Sequence, residues 1–66
     1  MPSVGDDFPR EQARCRELLK TYHDLGRAGV FGAAMIEAVL ARADKAVIGG
    51  DLAEILISYR EMRECE

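Results

Sequence analysis

The stretch Val30–Val47, VFGAAMIEAVLARADKAV, is the most apolar run of the sequence and decides how the rest is interpreted. An advance of about 100° per residue, as in an α-helix, gathers its larger apolar residues into one broad arc: Met35, Ile36, Val39, Leu40, Ala43, Ala46 and Val47. The opposite side is polar or small: Glu37, Ala41, Asp44 and Lys45, with Ala34 and Ala38 beside them. We therefore expect a core helix whose back a second helix could approach closely.

A first helix is predicted to begin at Pro9 and to end at Leu25. The fixed φ of proline suits the first position of a helix, and Gly26 favours the conformation that ends one. Residues 1–7 show no apolar period, so we expect a disordered N-terminal arm. Apolar residues at spacings of three and four form the expected core face of this helix: Cys15, Leu18, Leu19, Tyr22 and Leu25.

The third helix is predicted from Asp51 to about Glu64, after two glycines end the central helix at Ile48. Asp51 is a favourable N-cap, with Glu54 in capping-box position. The expected core face of this helix is Leu52, Ile55, Leu56, Tyr59, Met62 and Arg63. Because the connections are short and no segment alternates with a period of two, we predict an all-α, up-down-up, three-helix domain over residues 8–66.

The length of the chain limits the size of its core. A domain of 66 residues buries only about 60% of the surface of its unfolded chain, and such folds often need a disulfide, a metal or a partner chain. Cys15 and Cys65 are too few for a disulfide framework. We expect Cys15 about 10 Å along the first helix and Cys65 about 20 Å along the third, so a bridge between them would be strained. A homodimer is the expected means of completing the fold.

The candidate interface for a protein partner combines one exposed side chain with a stripe of small residues. Ile57 points among the glutamates of the third helix, and the stripe on the central helix is Ala34, Ala38 and Ala41. The alternative is that these are scattered exposed apolar residues, which are common on monomeric proteins. The pattern favours a small interaction or regulatory module that binds protein.

The alternative function is that of a nucleic-acid-associated accessory protein. Nine basic and twelve acidic residues give a net charge of −3, which argues weakly against a nucleic-acid partner. The third helix is acidic and would be a poor recognition helix. The candidate contacts are basic residues of the first helix, which wrap around it more than they line one stripe: Arg10, Arg14, Arg16 and Lys20.

No pattern indicates an enzyme, a metal site or a cofactor. The glycines of GRAGVFG lack the GK[ST] ending of a phosphate-binding loop, which favours a closely packed connection between helices. His23 is the only histidine, and the pair Glu61 and Glu64 is typical of a solvated helix face. The sequence has neither a signal-peptide pattern nor about 20 mainly apolar residues in a row. We expect a cytoplasmic protein with no membrane partner.

The segment FGAAMIEAVLARADKAV, followed by Gly50-Asp51, Tyr59, Met62 and Cys65-Glu66, resembles a group of short uncharacterised helical proteins of bacterial and prophage genomes. The resemblance begins near Phe8 and covers most of the chain. It implies a bacterial setting and a mobile-element origin. That group has no established activity or cofactor, so the resemblance assigns no functional residue.

Overall fold

A computed structural model of the chain describes residues 3–66. It contains helices α1 (Val4–Asp24), α2 (Val30–Gly49) and α3 (Leu52–Glu64), and a short 3₁₀ helix (Gly26–Gly29) joins the first two. No strand occurs within the described residues. The prediction of a small all-α domain of three helices is confirmed.

The start of α1 differs from the prediction. Ser3 has an extended backbone, with φ −79° and ψ 166°, and its hydroxyl oxygen accepts a hydrogen bond from the Asp6 amide at 3.2 Å. This N-cap and the acidic first turn stabilise the additional helical turn before Pro9. Pro9 therefore lies inside α1. The predicted disordered arm, residues 1–7, is wrong for residues 3–7, and the first two residues lie outside the described chain.

The other helix ends follow the predicted signals. Gly26 and Gly50 both have the left-handed conformation, with φ values of 64° and 68°, and each follows the end of a helix. Asp51 caps α3, and its Oδ1 accepts from the amide of Ala53 at 2.9 Å and from that of Glu54 at 3.4 Å. Glycine adopts this conformation without a Cβ penalty, so these two positions separate the three helices.

Contacts between the helices give the up-down-up order. Gln12, in the first half of α1, donates to the Asp44 carboxylate near the end of α2 at 2.9 Å, so these helices are antiparallel. The Tyr22 hydroxyl, near the end of α1, donates to the Glu66 carbonyl just after α3 at 2.5 Å, so these two are parallel. α2 therefore runs opposite to both neighbours.

The core face of α2 is narrower than predicted. Its buried residues are Ala33, Ile36, Val39, Leu40, Ala43 and Ala46. Met35 and Val47, at the edges of the predicted arc, are 57% and 50% exposed. A domain of three short helices covers only part of the circumference of each helix, so the edge residues remain in contact with water.

The core face of α3 is rotated relative to the prediction. Ser58 and Met62 are its buried residues, whereas Leu52 and Leu56 are 68% and 46% exposed. Met62 packs in one cluster with Phe8 and Cys15 of α1 and with four residues of α2. Ser58 is only 1% exposed, so the buried side of α3 is centred on Ser58 and Met62, and the two leucines lie at its edge.

Helices α1 and α2 approach closely where the chain turns back. A Cβ atom built on Gly29 would lie 1.8 Å from the Tyr22 carbonyl oxygen, and one built on Gly32 would lie 2.6 Å from the Tyr22 ring. Only glycine fits these two positions without movement of its neighbours. The glycine-rich segment is thus a closely packed helix connection, as its pattern indicates.

Candidate interaction surface on helices α2 and α3

A groove of about 420 Å³ lies between α2 and the C-terminal half of α3. Met35, Ala38 and Val39 of α2 line it together with Glu64 and Cys65 near the end of α3. Its surface is mainly apolar, with acidic residues on the side formed by α3. We name this depression the α2/α3 groove.

An ion pair crosses one end of the α2/α3 groove. The Arg42 guanidinium contacts the Glu61 carboxylate at 2.5 Å, and the Glu61 side chain is only 27% exposed. A second, smaller depression with Lys45 and Glu54 on its walls continues beyond Arg42. Positive side chains of α2 thus face negative side chains of α3 along the length of this surface.

An apolar row extends the α2/α3 groove along α2. Phe31, Met35 and Ala38 follow one another at spacings of four and three, which places them on one side of the helix. Phe31 is 78% exposed. The sequence pattern predicts a core position for Met35 and no role for Phe31. The spacing of these two residues from Ala38 is the signal that could have placed all three on one exposed row.

The structure divides the predicted interface residues between two sides of α2. Ala34, Ala38 and Ala41 are all exposed. Ala38 lines the α2/α3 groove, but Ala34 and Ala41 line shallow depressions on the side facing α1. Ile57 is 53% exposed and lies one turn before Glu61 on the same row of α3. Ala38 and Ile57 therefore lie on the same surface of the domain, whereas Ala34 and Ala41 lie on the side of α2 that faces α1.

The predicted nucleic-acid contacts do not form one patch. Arg16 faces α2, where it contacts Asp44 at 3.3 Å, whereas Arg14 faces α3. Lys20 pairs with Glu17 of its own helix at 3.0 Å. Arg10 is exposed. Because Arg14 and Arg16 lie on opposite flanks of α1, the four residues present no continuous basic stripe to a phosphate backbone.

Arg14 binds the C-terminal end of α3. Its Nη2 donates to the Met62 carbonyl at 2.5 Å and its Nη1 to the Cys65 carbonyl at 2.9 Å. Its Nε contacts the Glu11 carboxylate at 2.7 Å, and this hydrogen bond is the main cause that raises the pKa of Arg14. Arg14 thus binds carbonyl groups at a helix end, where the regular backbone hydrogen bonds of the helix stop.

Other polar side chains mainly connect the helices. His23 contacts Glu37 at 3.3 Å on the side of α2 opposite the α2/α3 groove. The Tyr59 hydroxyl donates to the Asp7 carboxylate at 2.5 Å, which raises the pKa of Tyr59. Within residues 3–66, no group of three or more histidine, cysteine or acidic residues is placed to hold a metal ion.

Comparison of the chain with protein-family models, with curated proteins and with solved structures gives no significant match. In the part of the chain that the structure describes, no helix has both the length and the apolar character needed to cross a membrane.

Proposed function

We propose that this chain is a small, non-enzymatic protein-protein interaction module that acts as a homodimer in the bacterial cytoplasm. Its origin in a prophage is part of the same proposal, on the basis of the resemblance described above. The observation that carries the proposal is the apolar surface along the α2/α3 groove. Met35 lines the groove, Phe31 and Ile57 lie on the helix rows that continue it, and all three are more than half exposed. Burial of this apolar area against a partner would be favourable.

Charge complementarity favours a second copy as the partner. α2 presents Arg42 and Lys45, and α3 presents Glu54, Glu61 and Glu64. In a two-fold dimer the same surface of both protomers forms the interface. The Arg42–Glu61 ion pair is already formed within each protomer. The exposed charges of Lys45 and Glu54 can pair with their counterparts on the partner, and each contact then occurs twice.

Size and side-chain shape support the same arrangement. A chain of 66 residues has a small core of its own, and burial of an additional two-helix face on each protomer enlarges it. Ala38 lies in the middle of this surface, and its small side chain permits close approach of a partner helix. The dimer would thereby resemble a single, larger helical bundle.

Sedimentation equilibrium across a wide concentration range tests the proposal. We expect a reversible monomer-dimer equilibrium for the wild-type chain. Ile57→Lys should weaken the dimer at least tenfold with little effect on folding, because the lysine would place a charge in the interface. Ile48→Lys is the matched control, since Ile48 is 87% exposed and continues the row of Ala34 and Ala41 at spacings of seven, away from the α2/α3 groove.

Two results would contradict the proposal. A wild-type chain that remains a monomer at high concentration would remove the dimer. Equal weakening by Ile57→Lys and Ile48→Lys would show that association occurs through another surface.

A further inference from the structure

The two cysteines meet at the C-terminal end of α3. The Met62 carbonyl oxygen accepts from the Cys15 thiol at 3.5 Å and from the Cys65 backbone amide at 3.2 Å, so one atom contacts both residues. Cys65 also packs against the core cluster that contains Cys15. Both thiols are free, and each lies at the boundary between α1 and α3.

The corrected start of α1 places the two cysteines at more similar heights along their parallel helices. Cys15 is eleven residues beyond Val4, or about 16 Å along the helix instead of about 10 Å. Cys65 follows the last residue of α3, about 20 Å from the start of that parallel helix. The expectation of a strained bridge rested on the first helix beginning at Pro9; with the helix beginning at Val4, the offset between the two residues falls from about 10 Å to about 4 Å, and both thiols are free in the structure.

We propose that Cys15 and Cys65 are a site of oxidative modification, where hydroperoxides convert the two thiols into a reversible intrachain disulfide that fixes α1 to the end of α3. This inference goes beyond the proposed interaction function and does not depend on it. The two residues lie 50 positions apart, so the bond would close most of the chain into one loop.

The two thiols differ in exposure, and this difference determines which of them reacts first with a peroxide. Cys65 is partly exposed and lines the α2/α3 groove, so a peroxide can reach it first. Cys15 is fully buried, and burial, followed by the nearby Cys65 thiol, raises the pKa of Cys15 to about 11. Because a protonated, shielded thiol is a poor nucleophile toward peroxide, Cys65 is the thiol that peroxide oxidises first, and Cys15 reacts only afterwards, with the oxidised sulfur.

In the first step the Cys65 thiolate attacks hydrogen peroxide. The O–O bond breaks, an S–O bond forms, and the leaving hydroxide takes up a proton as water, which gives a sulfenic acid. In the second step the Cys15 sulfur attacks the Cys65 sulfur. The S–O bond breaks, and the hydroxide leaves with the Cys15 proton as a second water. Two thiols thus lose two electrons in total, and one peroxide gains them.

Arg14 keeps the reacting groups together. Its guanidinium binds the carbonyl oxygens of Met62 and Cys65, so the last turn of α3 stays against α1 while Cys65 is oxidised. Arg14 is adjacent to Cys15 in sequence, and its positive charge opposes the rise in the pKa of Cys15. Both effects favour the second step.

Oxidation of the full chain by hydrogen peroxide, at concentrations low enough to keep it monomeric, tests this inference. We expect a monomer lighter by two hydrogen atoms, which migrates faster on a non-reducing gel and is restored by dithiothreitol. Its melting temperature should rise by on the order of 10 °C, because the bond closes a long loop in the unfolded chain.

Single variants identify the two roles. Cys65→Ser should abolish the lighter species and leave Cys15 unmodified. Cys15→Ser should abolish it too, but should accumulate a sulfenic acid at Cys65 that dimedone labels. Ile57→Lys should form the disulfide as the wild type does, which separates this site from the proposed dimer. Formation of only oxygen adducts or intermolecular dimers by the wild type, with Cys15 still reduced, would overturn the inference.

Discussion

Gly29→Ala tests the closest approach in the fold with a single added methyl group. The φ and ψ of Gly29, −93° and −6°, are accessible to alanine, so the backbone conformation itself is no obstacle. The new Cβ, however, would lie 1.8 Å from the carbonyl oxygen and 2.7 Å from the carbonyl carbon of Tyr22. Carbon and oxygen atoms normally stay about 3.3 Å apart or more. The connection must therefore move by more than 1 Å, roughly the difference between these distances.

The size of the expected loss of stability depends on which atoms near Gly29 can move. The atoms contacted at Tyr22 belong to the backbone, so no change of rotamer relieves the overlap. Overpacking of a well-packed core costs about 1–3 kcal/mol and occasionally more, and this position lies at the upper end of that range. A chain of 66 residues has a total stability on the order of 3–10 kcal/mol. A loss of about 3 kcal/mol would thus remove a third or more of it.

Urea titrations, in which unfolding is followed by far-ultraviolet circular dichroism, measure this loss of stability. Two other glycines provide control variants for the same titrations. Gly26→Ala adds backbone strain alone, since Gly26 has φ 64° and no atom within 4 Å of its Cβ position; we expect a loss of about 1–2 kcal/mol. Gly49→Ala has open space and a helical backbone and should be neutral or stabilising by up to about 1 kcal/mol. If Gly29→Ala were no more destabilising than Gly26→Ala, the close packing of the 3₁₀ helix against the end of α1 would be refuted.

Two further predictions concern the N-cap of α1 and the buried thiol. Ser3→Ala should destabilise the domain by about 1 kcal/mol in the same titrations, and no loss would mean that residues 3–7 do not contribute to the fold. The pKa of Cys15 is raised from 9.0 to about 11, so the neutral thiol is favoured in the folded state. Stability should be complete below pH 9 and decrease by up to about 2–3 kcal/mol as the pH rises through 11. Cys15→Ala should remove this decrease, and an unchanged pH profile would contradict the assignment to Cys15.

The helix ends that the sequence predicted are those encoded by local conformational preference. Gly26, Gly50 and Asp51 act through their own backbone or through amides within three residues, and these signals are visible in the sequence. The N-cap at Ser3 is equally local, but a helix prediction that depends on an apolar period does not include the polar residues that follow Ser3. Pro9 then suggested a helix start that the preceding turn had already provided.

The periodicity of apolar residues does not determine which side of each helix faces the neighbouring helices. A helical wheel identifies an apolar arc, but it does not show which part of the arc two neighbouring helices can cover. Leu56 and Met35 were therefore assigned to the core, although both lie at its edge. Ser58 was not assigned to it because its side chain is polar. The exposure of Ile57 was predicted correctly, since its neighbours on the wheel are glutamates.

The role of Arg14 could not be inferred from its surroundings in the sequence. Its hydrogen-bond partners Met62 and Cys65 lie 48 and 51 residues away, and a positive charge on a helix is equally compatible with a phosphate contact. Its engagement with α3 also alters how the nucleic-acid hypothesis can be tested. Reversal of the charge at Arg14 would disturb the end of α3, so loss of binding in such a variant would not identify a contact. Arg10, which is exposed, is the informative position.

The end of α3 belongs to both proposed sites, and this has a thermodynamic consequence. Side chains of α1 bind its last carbonyl groups through Arg14 and Tyr22, while Cys65 lines the α2/α3 groove. A disulfide that draws Cys65 toward Cys15 would change one wall of that groove. If oxidation changes the affinity of the dimer by some factor, dimerisation must change the equilibrium of disulfide formation by the same factor. The dimer dissociation constants of the reduced and oxidised chains therefore determine whether the two sites are independent or form one redox-sensitive interface.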